Sequence, residues 1–339
     1  MNTHTRAFLR RSLIALAAIG FLGSLPSNAA ELKHLRVSMA AQTAIYAPYL
    51  IPMEKGYYAE EGLALDVTIA SGGVATPALL SGTLDISTSN PTAISPILRG
   101  AAMKILYTMA NRSQYQLWST APDIKTFQDL KGKQVGVMAR GDSFEISMKL
   151  ALMKHGLPLD WVGFTGLGPD NALTAAMIAG SVPAVVITDF SIETVKQARG
   201  FEKDHLIYDM HKDLPMPYSG IVVTDQFLKS HRDELHGFLR ATMKGVRYMK
   251  KYKDQTVEIV TKYSKLDPKL VAFDYDEAVT TLTKDGSVPD NVLRPDLEVR
   301  ASLIDIPTDK IPPLDRIYDY SIVRAANAEL DASHWTPQP

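Results

Sequence analysis

One succession of strand, glycine-rich loop, helix and strand constrains the fold more than any other part of this sequence. A strand-like run, Leu65–Ile69, ends in Ser71-Gly72-Gly73, which favours a turn. Val74–Leu80 is compatible with a helix if Pro77 lies in its first turn, and a short apolar run follows at Leu84–Ile86. This order predicts a βαβ unit of a parallel sheet.

Two polar loops follow the strands of this unit. Ser71-Gly72-Gly73 comes after the first strand and Thr88-Ser89-Asn90 after the second. Open α/β sheets bind ligands beyond the carboxyl ends of their strands. The two loops therefore predict half of a ligand cleft.

A similar layout recurs further along the chain. Gln134–Met138 predicts a strand, and Arg140–Phe144 leads into a helix over Glu145–His155, with Asp142 or Ser143 as its N-cap. A helix over Ala172–Ile178 and a strand over Ala184–Ile187 follow. The sequence thus predicts two similar α/β lobes.

The remaining periodic stretches complete the prediction. We expect further strands at Leu35–Met39, Met103–Met109 and Tyr218–Thr224, and further helices at Ile45–Lys55, Thr92–Leu98, Asp225–Ser230, Glu234–Tyr252, Thr256–Tyr263, Leu270–Leu282, Leu297–Leu303 and Ile317–Leu330. The apolar stripe of Leu239, Met243, Val246 and Met249 is typical of core packing.

Length and composition agree with two globular lobes. At 339 residues the chain exceeds the usual size of a single core, and 46% of its residues are hydrophobic. The formal net charge of -1 does not indicate a nucleic-acid surface. No run of about 20 apolar residues occurs beyond the N-terminus, so we expect no membrane span in the mature protein.

The N-terminus predicts export. Arg6, Arg10 and Arg11 precede an apolar run from Ser12 to Leu25. The short segment Pro26–Ala30 that follows consists mostly of small residues. This pattern is typical of a secretory signal peptide that is removed after residue 29 or 30. A membrane anchor and, because of the paired arginines, the twin-arginine export route are the alternatives.

The chain contains no cysteine. Disulfides and a lipid-modified cysteine are therefore excluded, and stability has to come from the core. We expect a freely diffusing periplasmic protein.

Three segments resemble one known family. They are Gly56–Leu63 (GYYAEEGL), the pair Ser71-Gly72-Gly73 and Ser81–Ile86 (SGTLDI), and Asp129–Val137 (DLKGKQVGV). They are similar to motifs of the periplasmic solute-binding proteins of ABC importers for aliphatic sulfonates, taurine, nitrate and thiamine-type pyrimidines. The resemblance covers roughly residues 33 to 260.

The resemblance implies an α/β, type II periplasmic-binding-protein fold, in which two lobes are joined by hinge strands with the ligand cleft between them. Lobe one would comprise residues 31–119 and 221–339, including the C-terminal helices, and lobe two residues 120–220. The hinges would lie near residues 119–121 and 218–220. Pro183 stands where Asp is common in the family, so the ligand of a relative is a less safe guide to the ligand of this chain.

Candidate ligand-binding residues follow from the loops that would face the cleft. Helix N-termini, glycine-rich turns and short polar side chains suit anions, and Arg140 would pair with a carboxylate or sulfonate. For each residue, turn chemistry, helix capping, core packing or a solvated surface position is the alternative. The candidates are Gln42, Tyr46, Ser71, Gly72, Gly73, Ser89, Asn90, Arg140, Gly141, Asp142, Ser143, Phe144, Thr188, Asp189 and Tyr218.

Two of these candidates carry a condition. Asp142 and Asp189 would repel a simple anion. If either faces the cleft, the ligand should carry an amine or another hydrogen-bond donor.

The sequence contains no motif of a hydrolase nucleophile elbow, a zinc peptidase or a P-loop. His231 and His236 are five residues apart, which does not place both on one helical face. We therefore expect no catalytic residues, no metal and no cofactor. An enzyme like the pyrimidine synthases that resemble this family is disfavoured, because those use a cysteine-rich motif and this chain has none.

We thus expect a periplasmic solute-binding component of an ABC-type importer, with a small organic anion of sulfonate or carboxylate type as the first choice of ligand. A thiamine-type pyrimidine and an aromatic carboxylate are alternatives, as is a ligand-sensing subunit that docks on a membrane receptor. The expected partners are an ABC permease and ATPase in the inner membrane, with no nucleic acid, and we expect a monomer.

Overall fold

The computed structural model describes residues 31–119, 121–199 and 206–339. The predicted signal peptide at residues 1–30 lies outside the described residues, as does Thr120 of the first predicted hinge. None of the helices in the described ranges combines the length and the apolar character needed to cross a bilayer.

Ten strands and fifteen α-helices are defined in the described ranges. The strands are β1 Lys33–Met39, β2 Leu63–Ile69, β3 Ile86–Ser87, β4 Met103–Arg112, β5 Tyr115–Ser119, β6 Gln134–Val137, β7 Gly163–Gly166, β8 Ala184–Thr188, β9 Leu206–Asp209 and β10 Pro215–Thr224. The helices are α1 Ala47–Lys55, α2 Tyr57–Glu60, α3 Gly72–Leu80, α4 Asn90–Leu98, α5 Ser143–Lys154, α6 Asp170–Ala179, α7 Asp189–Arg199, α8 Met210–Asp213, α9 Asp225–Ser230, α10 Arg232–Lys251, α11 Lys253–Ser264, α12 Pro268–Thr281, α13 Asp290–Ser302, α14 Leu314–Ile317 and α15 Ser321–Ala332.

The strands form two five-stranded sheets. The first sheet has the order β2-β1-β3-β10-β4, and the second has the order β7-β6-β8-β5-β9. In the first sheet β1 lies parallel to β2 and β3, while β10 is antiparallel to β3 and β4. In the second, β6 is parallel to β7 and β8, and β5 is antiparallel to β8 and β9. The two sheets share one plan, which confirms the prediction of two similar α/β lobes.

The βαβ unit of the first sheet is present, with one correction. α3 begins at Gly72, two residues before the predicted start, because Ser71 is extended at φ -62° and ψ 157° and acts as the N-cap residue. Pro77 therefore lies in the second turn and not in the first. Its missing N–H leaves the carbonyl of Gly73 without the usual donor inside this short helix.

The chain passes between the sheets earlier than the hinges were predicted. β5 pairs with β8 in the second sheet, so the first passage lies at Ser113 and Gln114, between β4 and β5. β10 pairs with β4 in the first sheet from Pro215 onward, so the return passage lies near residues 210–214. The polar residues at 111–114 separate β4 from β5, and β5 itself was not predicted.

Each sheet has its own hydrophobic core. Leu239, Met243, Val246 and Met249 on α10 are buried in the core of the first sheet, which confirms the prediction for this stripe. α10 packs between α1 and α15, so the C-terminal helices belong with the first sheet. The second core is built around β5, β6, β8 and α5.

Several elements differ from the predictions, and the short strand β9 was not predicted. β7, with the sequence GFTG, lacks an apolar run and was not predicted, and neither was α7. α13 starts seven residues before its predicted start and continues through Pro295. Helix 317–330 is instead two helices, α14 and α15, separated by Tyr318–Tyr320.

Candidate functional site

A cavity of ≈ 120 Å³ lies where loops of the two sheets meet. The first sheet contributes the loops that follow β1, β2 and β3, and the second contributes residues at the starts of α5, α6 and α7. The first passage adds Gln114, β5 adds Tyr115, β10 adds Tyr218 and Ser219, and α12 adds Asp274. The polar ends of several strands and helices therefore converge on one space, as the βαβ layout predicted.

Most of the predicted residues line this cavity. They are Tyr46, Ser71, Gly72, Ser89, Asp142, Ser143, Phe144, Thr188, Asp189 and Tyr218. The residues that do not line it are Gln42, Gly73, Asn90, Arg140 and Gly141.

Asn90 is buried in a structural role. Its amide nitrogen donates to the carbonyl oxygens of Tyr107 at 3.1 Å and Ser219 at 2.9 Å. The side chain therefore ties β4 to β10, and its donors are engaged there.

Arg140 points away from the cavity. Its side chain is 64% exposed and pairs with Glu145, with 2.8 Å between Nε and Oε2. Glu145 Oε2 also accepts the backbone N–H of Gly141 at 2.9 Å. Glu145 thus binds both Arg140 and Gly141 outside the cavity. The guanidinium of Arg140, which was expected to pair with an anionic ligand, pairs with this carboxylate instead.

Asp142 is the N-cap of α5, as predicted, and it also lines the cavity. One carboxylate oxygen accepts the N–H groups of Phe144 and Glu145, each at 3.0 Å, and the other accepts the N–H of Ala139 at 2.7 Å. Burial nevertheless raises the pKa of Asp142, against the lowering effect of these donors.

Aromatic rings form one wall of the cavity. The rings of Tyr115 and Phe144 lie 4.3 Å apart, and those of Tyr115 and Tyr218 meet edge to face at 5.5 Å. The hydroxyl groups of Tyr115 and Ser143 are 2.7 Å apart. Tyr46, 5% exposed, lines the cavity too, and burial raises its pKa to about 12, so its hydroxyl stays protonated at neutral pH.

Two aspartates of the cavity were missed in the sequence. Asp170 is the first residue of α6, and burial raises its pKa to about 6. Asp170 follows a glycine-containing loop, and residues of the equivalent loops in the first lobe were predicted to bind the ligand. The sequence therefore did contain a signal for Asp170. Asp274 lies in the middle of α12, and nothing in the local sequence connects it with the cavity.

Asp274 is held by both parts of the cavity. Its carboxylate accepts the backbone N–H of Ala44 at 2.6 Å and the side-chain N–H of Gln114 at 3.3 Å. It is 3% exposed, and burial, opposed by these bonds, raises its pKa to about 7.

Asp189 forms a second polar group with His211 and Glu277. His211 Nδ1 lies 3.1 Å from Asp189 Oδ2 and 4.0 Å from Glu277 Oε2. The bond to Asp189 raises the pKa of His211 against the effect of burial. In the described part of the chain, Asp189, His211 and Glu277 form the group of His, Asp or Glu side chains that brings three ligand atoms within 4.8 Å of one another. His211 and Glu277 do not line the cavity, and the absence of a metal stays a prediction.

Comparison with known proteins places this geometry in a family. The family described as NMT1/THI5 like matches residues 44–256. A protein of Bacillus subtilis (strain 168) named for binding aliphatic sulfonates is 27% identical over 331 residues, which cover 91% of this chain and 96% of the relative.

Solved structures show the same architecture. A structure from Bordetella bronchiseptica RB50 superposes with a TM-score of 0.78 at 20% identity, covering 89% of this chain and 99% of that one. The periplasmic nitrate-binding protein NrtA of Synechocystis PCC 6803 superposes with a TM-score of 0.72 at 16% identity, covering 91% of this chain and 92% of its own. The two-lobed α/β fold is that of the periplasmic binding proteins, as predicted. Because the family match spans more than half of its length, the chain belongs to the NMT1/THI5-like family.

Proposed function

We propose that this chain is the periplasmic solute-binding component of an ABC-type importer. One observation carries the proposal: a single cavity is lined by polar and aromatic residues of both lobes. Concave sites between two lobes are a common place for small solutes to bind. Two of the similar proteins are named for binding aliphatic sulfonates and nitrate, which supports the same general role in solute binding.

The lobes are proposed to close on the solute as hinged bodies. Lobe one would comprise the first sheet with the C-terminal helices, and lobe two the second sheet. The two passages, at Ser113-Gln114 and near residues 210–214, are short enough to act as hinges. They replace the positions near 119–121 and 218–220 as the proposed boundaries.

The proposed role is binding and not covalent chemistry. His211, whose pKa is raised by its bond to Asp189, does not line the cavity. The tyrosine hydroxyl of Tyr46 stays protonated. These groups suit recognition of a solute by hydrogen bonds.

Export, partners and assembly complete the proposal. We propose that residues 1–30 are removed as a signal peptide and that the mature chain acts in the periplasm as a monomer. It would deliver its solute to an inner-membrane permease driven by an ATPase. The outer faces of the lobes would dock on that permease.

Thermal-shift screening of the purified mature chain against small organic solutes tests this function. A solute that binds should raise Tm in a concentration-dependent way, and small-angle scattering should show a smaller radius of gyration when it is bound. Deleting the gene in its host should abolish uptake of that solute. Failure of every solute to change Tm or shape would overturn the proposal.

A matched pair of variants places the effect in the cavity. Thr188→Val removes a hydroxyl that lines the cavity and contacts Ser191 and Asp170. Thr280→Val makes the same change on the exposed surface of α12. The first should weaken solute binding about tenfold, which corresponds to the loss of one good hydrogen bond, and the second should leave it unchanged.

A further inference from the structure

Carboxylates dominate the charge of the cavity. Asp142, Asp170, Asp189 and Asp274 all line it. Within residues 31–119, 121–199 and 206–339, no Lys, Arg or His side chain lines it. Asp189 pairs with His211, which does not line the cavity, so Asp142, Asp170 and Asp274 are the carboxylates that a ligand meets without a cation among the described lining residues.

The helix N-termini that would ordinarily attract a bound anion already carry a carboxylate of the protein. Asp142 caps α5 and accepts three backbone N–H groups, while Asp170 and Asp189 are the first residues of α6 and α7. A carboxylate at this position takes the place that a bound anion would occupy. The lobe-two wall of the cavity therefore offers acceptors, which is the condition under which the sequence led us to expect a ligand with a hydrogen-bond donor.

One carboxylate oxygen of this wall has no protein partner. Asp170 Oδ1 is buried and accepts no hydrogen bond, while Oδ2 lies 3.5 Å from Thr188 Oγ1. Burying an acceptor without a donor costs roughly 1–3 kcal/mol unless a ligand or water satisfies it. The unsatisfied oxygen marks where a donor of the ligand belongs.

Among the described residues, the four carboxylates do not form a three-ligand group for a single metal ion. A metal needs ligand atoms that meet around one point. Among the described residues, the three-residue set with ligand atoms within 4.8 Å contains Asp189 but neither Asp142, Asp170 nor Asp274. The charge is spread around the cavity, which suits a molecule that reaches several acceptors at once.

The aromatic wall and the size of the cavity narrow the class further. Tyr46, Phe144 and Tyr218 offer ring surfaces, which attract organic cations as well as apolar groups. The cavity of ≈ 120 Å³ is comparable to one of about 150 Å³ that holds benzene. A single ring or a short chain fits this volume.

We propose that the cavity selects a small organic cation with N–H donors, such as an amine, an amidine or a guanidine on one ring or a short chain. This inference rests on the proposed solute-binding function and differs from it in naming the charge of the solute. The cation pairs with Asp170 of α6 and Asp274 of α12, and its apolar part lies against the tyrosines.

The test compares solutes of one shape and different charge by thermal shift and titration calorimetry. The panel contains benzylamine and benzamidine as cations, benzoate and benzenesulfonate as anions, and benzyl alcohol and aminopyrimidines as uncharged compounds. At pH 8 cations should raise Tm and the others should not. Preferential binding of any anion or uncharged compound overturns the inference and leaves the solute-binding function standing. Failure of the whole panel overturns both.

The pH dependence and variants provide a second readout. A cation binds best when Asp170 and Asp274 are ionised, so its affinity should rise at least tenfold from pH 5.5 to pH 8, and binding should release protons. An anion would show the reverse dependence. Asp170→Asn and Asp274→Asn should each weaken the cation at least tenfold, while Asp66→Asn, an exposed position on β2, should not. Stabilisation by Ca²⁺, Mg²⁺ or Zn²⁺ that Asp170→Asn abolishes would instead show a metal site and overturn the inference.

Discussion

The carboxylate of Asp274 accepts a hydrogen bond of 2.6 Å from the backbone N–H of Ala44, 230 residues earlier in the chain. The bond joins the middle of α12 to the 3₁₀ turn over Ala44–Tyr46 that follows β1. α12 also contacts α7 of the second sheet. A C-terminal helix thus lies against both lobes and places a carboxylate at the cavity between them.

We predict that Asp274→Asn stabilises the protein without solute. Burial raises the pKa of Asp274 to about 7 from 3.8, so the folded state disfavours the ionised form. The unfolded chain ionises near pH 4, and the penalty grows as pH rises to about 7 and is constant above it. This rise in the pKa bounds the penalty at about 4 kcal/mol, and the side-chain oxygen of Asn can still accept the Ala44 N–H.

Chemical unfolding of both proteins from pH 4 to pH 8 measures the difference. The variant should gain about 1–3 kcal/mol at pH 8 and little at pH 4, within the bound set by the pKa shift. A gain that does not depend on pH would show that the carboxylate charge is not its source. Stability gained at a binding site at the expense of affinity is a common trade-off.

We predict that His211 stabilises the contact between the second sheet and α12 in a pH-dependent way. Asp189, Asp209 and Glu277 face the imidazole, and the bond to Asp189 raises its pKa. A histidine whose pKa is higher in the folded state stabilises that state fully at pH values below its unfolded pKa, which is about 6.5. That contribution is lost as pH rises through the folded value.

His211→Gln therefore should destabilise the protein more at pH 6 than at pH 9. The difference in free energy of unfolding between wild type and variant, followed across this range, checks the sign. His34→Gln serves as the control, because His34 is exposed in its pair with Asp66 and exposed pairs contribute little. A larger effect of His211→Gln at pH 9 than at pH 6 would contradict the prediction.

We predict that Gly220→Ala is strongly destabilising. Gly220 has a φ of +151°, and a Cβ there would overlap the carbonyl oxygen of Tyr107 and the amide of Asn90. The backbone of β10 would have to move away from β4 next to the cavity. Gly73→Ala is the matched control, since its nearest contact would be Ser71 Oγ at 4.0 Å.

The loss should exceed about 2 kcal/mol for Gly220→Ala and stay within about 0.5 kcal/mol for Gly73→Ala. Thermal and urea unfolding of the purified variants measure both values. Equal effects of the two substitutions would rule out backbone overlap as the cause.

The sequence was sufficient for the lobes because local patterns carry them. Leu65–Ile69 and the glycines after it specify a strand and a turn without knowledge of the rest of the chain. The loops after β2, β3 and β6 follow from the same pattern, and they supply most of the cavity residues that were predicted. Asp142 was identified as a cap because its contacts are with its own helix.

The parts that were missed depend on distant contacts. Asp274 reaches the cavity only through the packing of α12, and Arg140 leaves it because Glu145, five residues later, takes the guanidinium. The polar run at residues 111–114 marks a break between β4 and β5, but which sheet each segment joins depends on distant pairing. Such pairings are invisible to periodicity and turn chemistry.

The last prediction concerns Arg300, which is fully buried on α13. Its Nε donates to Asp296 Oδ2 at 2.8 Å and its Nη1 to the carbonyl of Pro91, a cavity residue on α4, at 2.9 Å. Removing one member of a buried pair leaves the other charge uncompensated, which typically costs 3–5 kcal/mol. Arg300→Met should therefore lower the free energy of unfolding by about this amount.

The double variant Arg300→Met with Asp296→Leu should recover most of the loss, because it removes both charges and replaces them with apolar groups. Burial already raises the pKa of Asp296 against the effect of Arg300, so the lone carboxyl of the single variant should bind a proton as pH falls and regain stability. Urea unfolding of wild type, single and double variants at pH 5 and pH 8 separates these effects. If the double variant is no more stable than Arg300→Met, the loss comes from the bond to Pro91 and the packing of α13 on α4, and not from the unpaired charge.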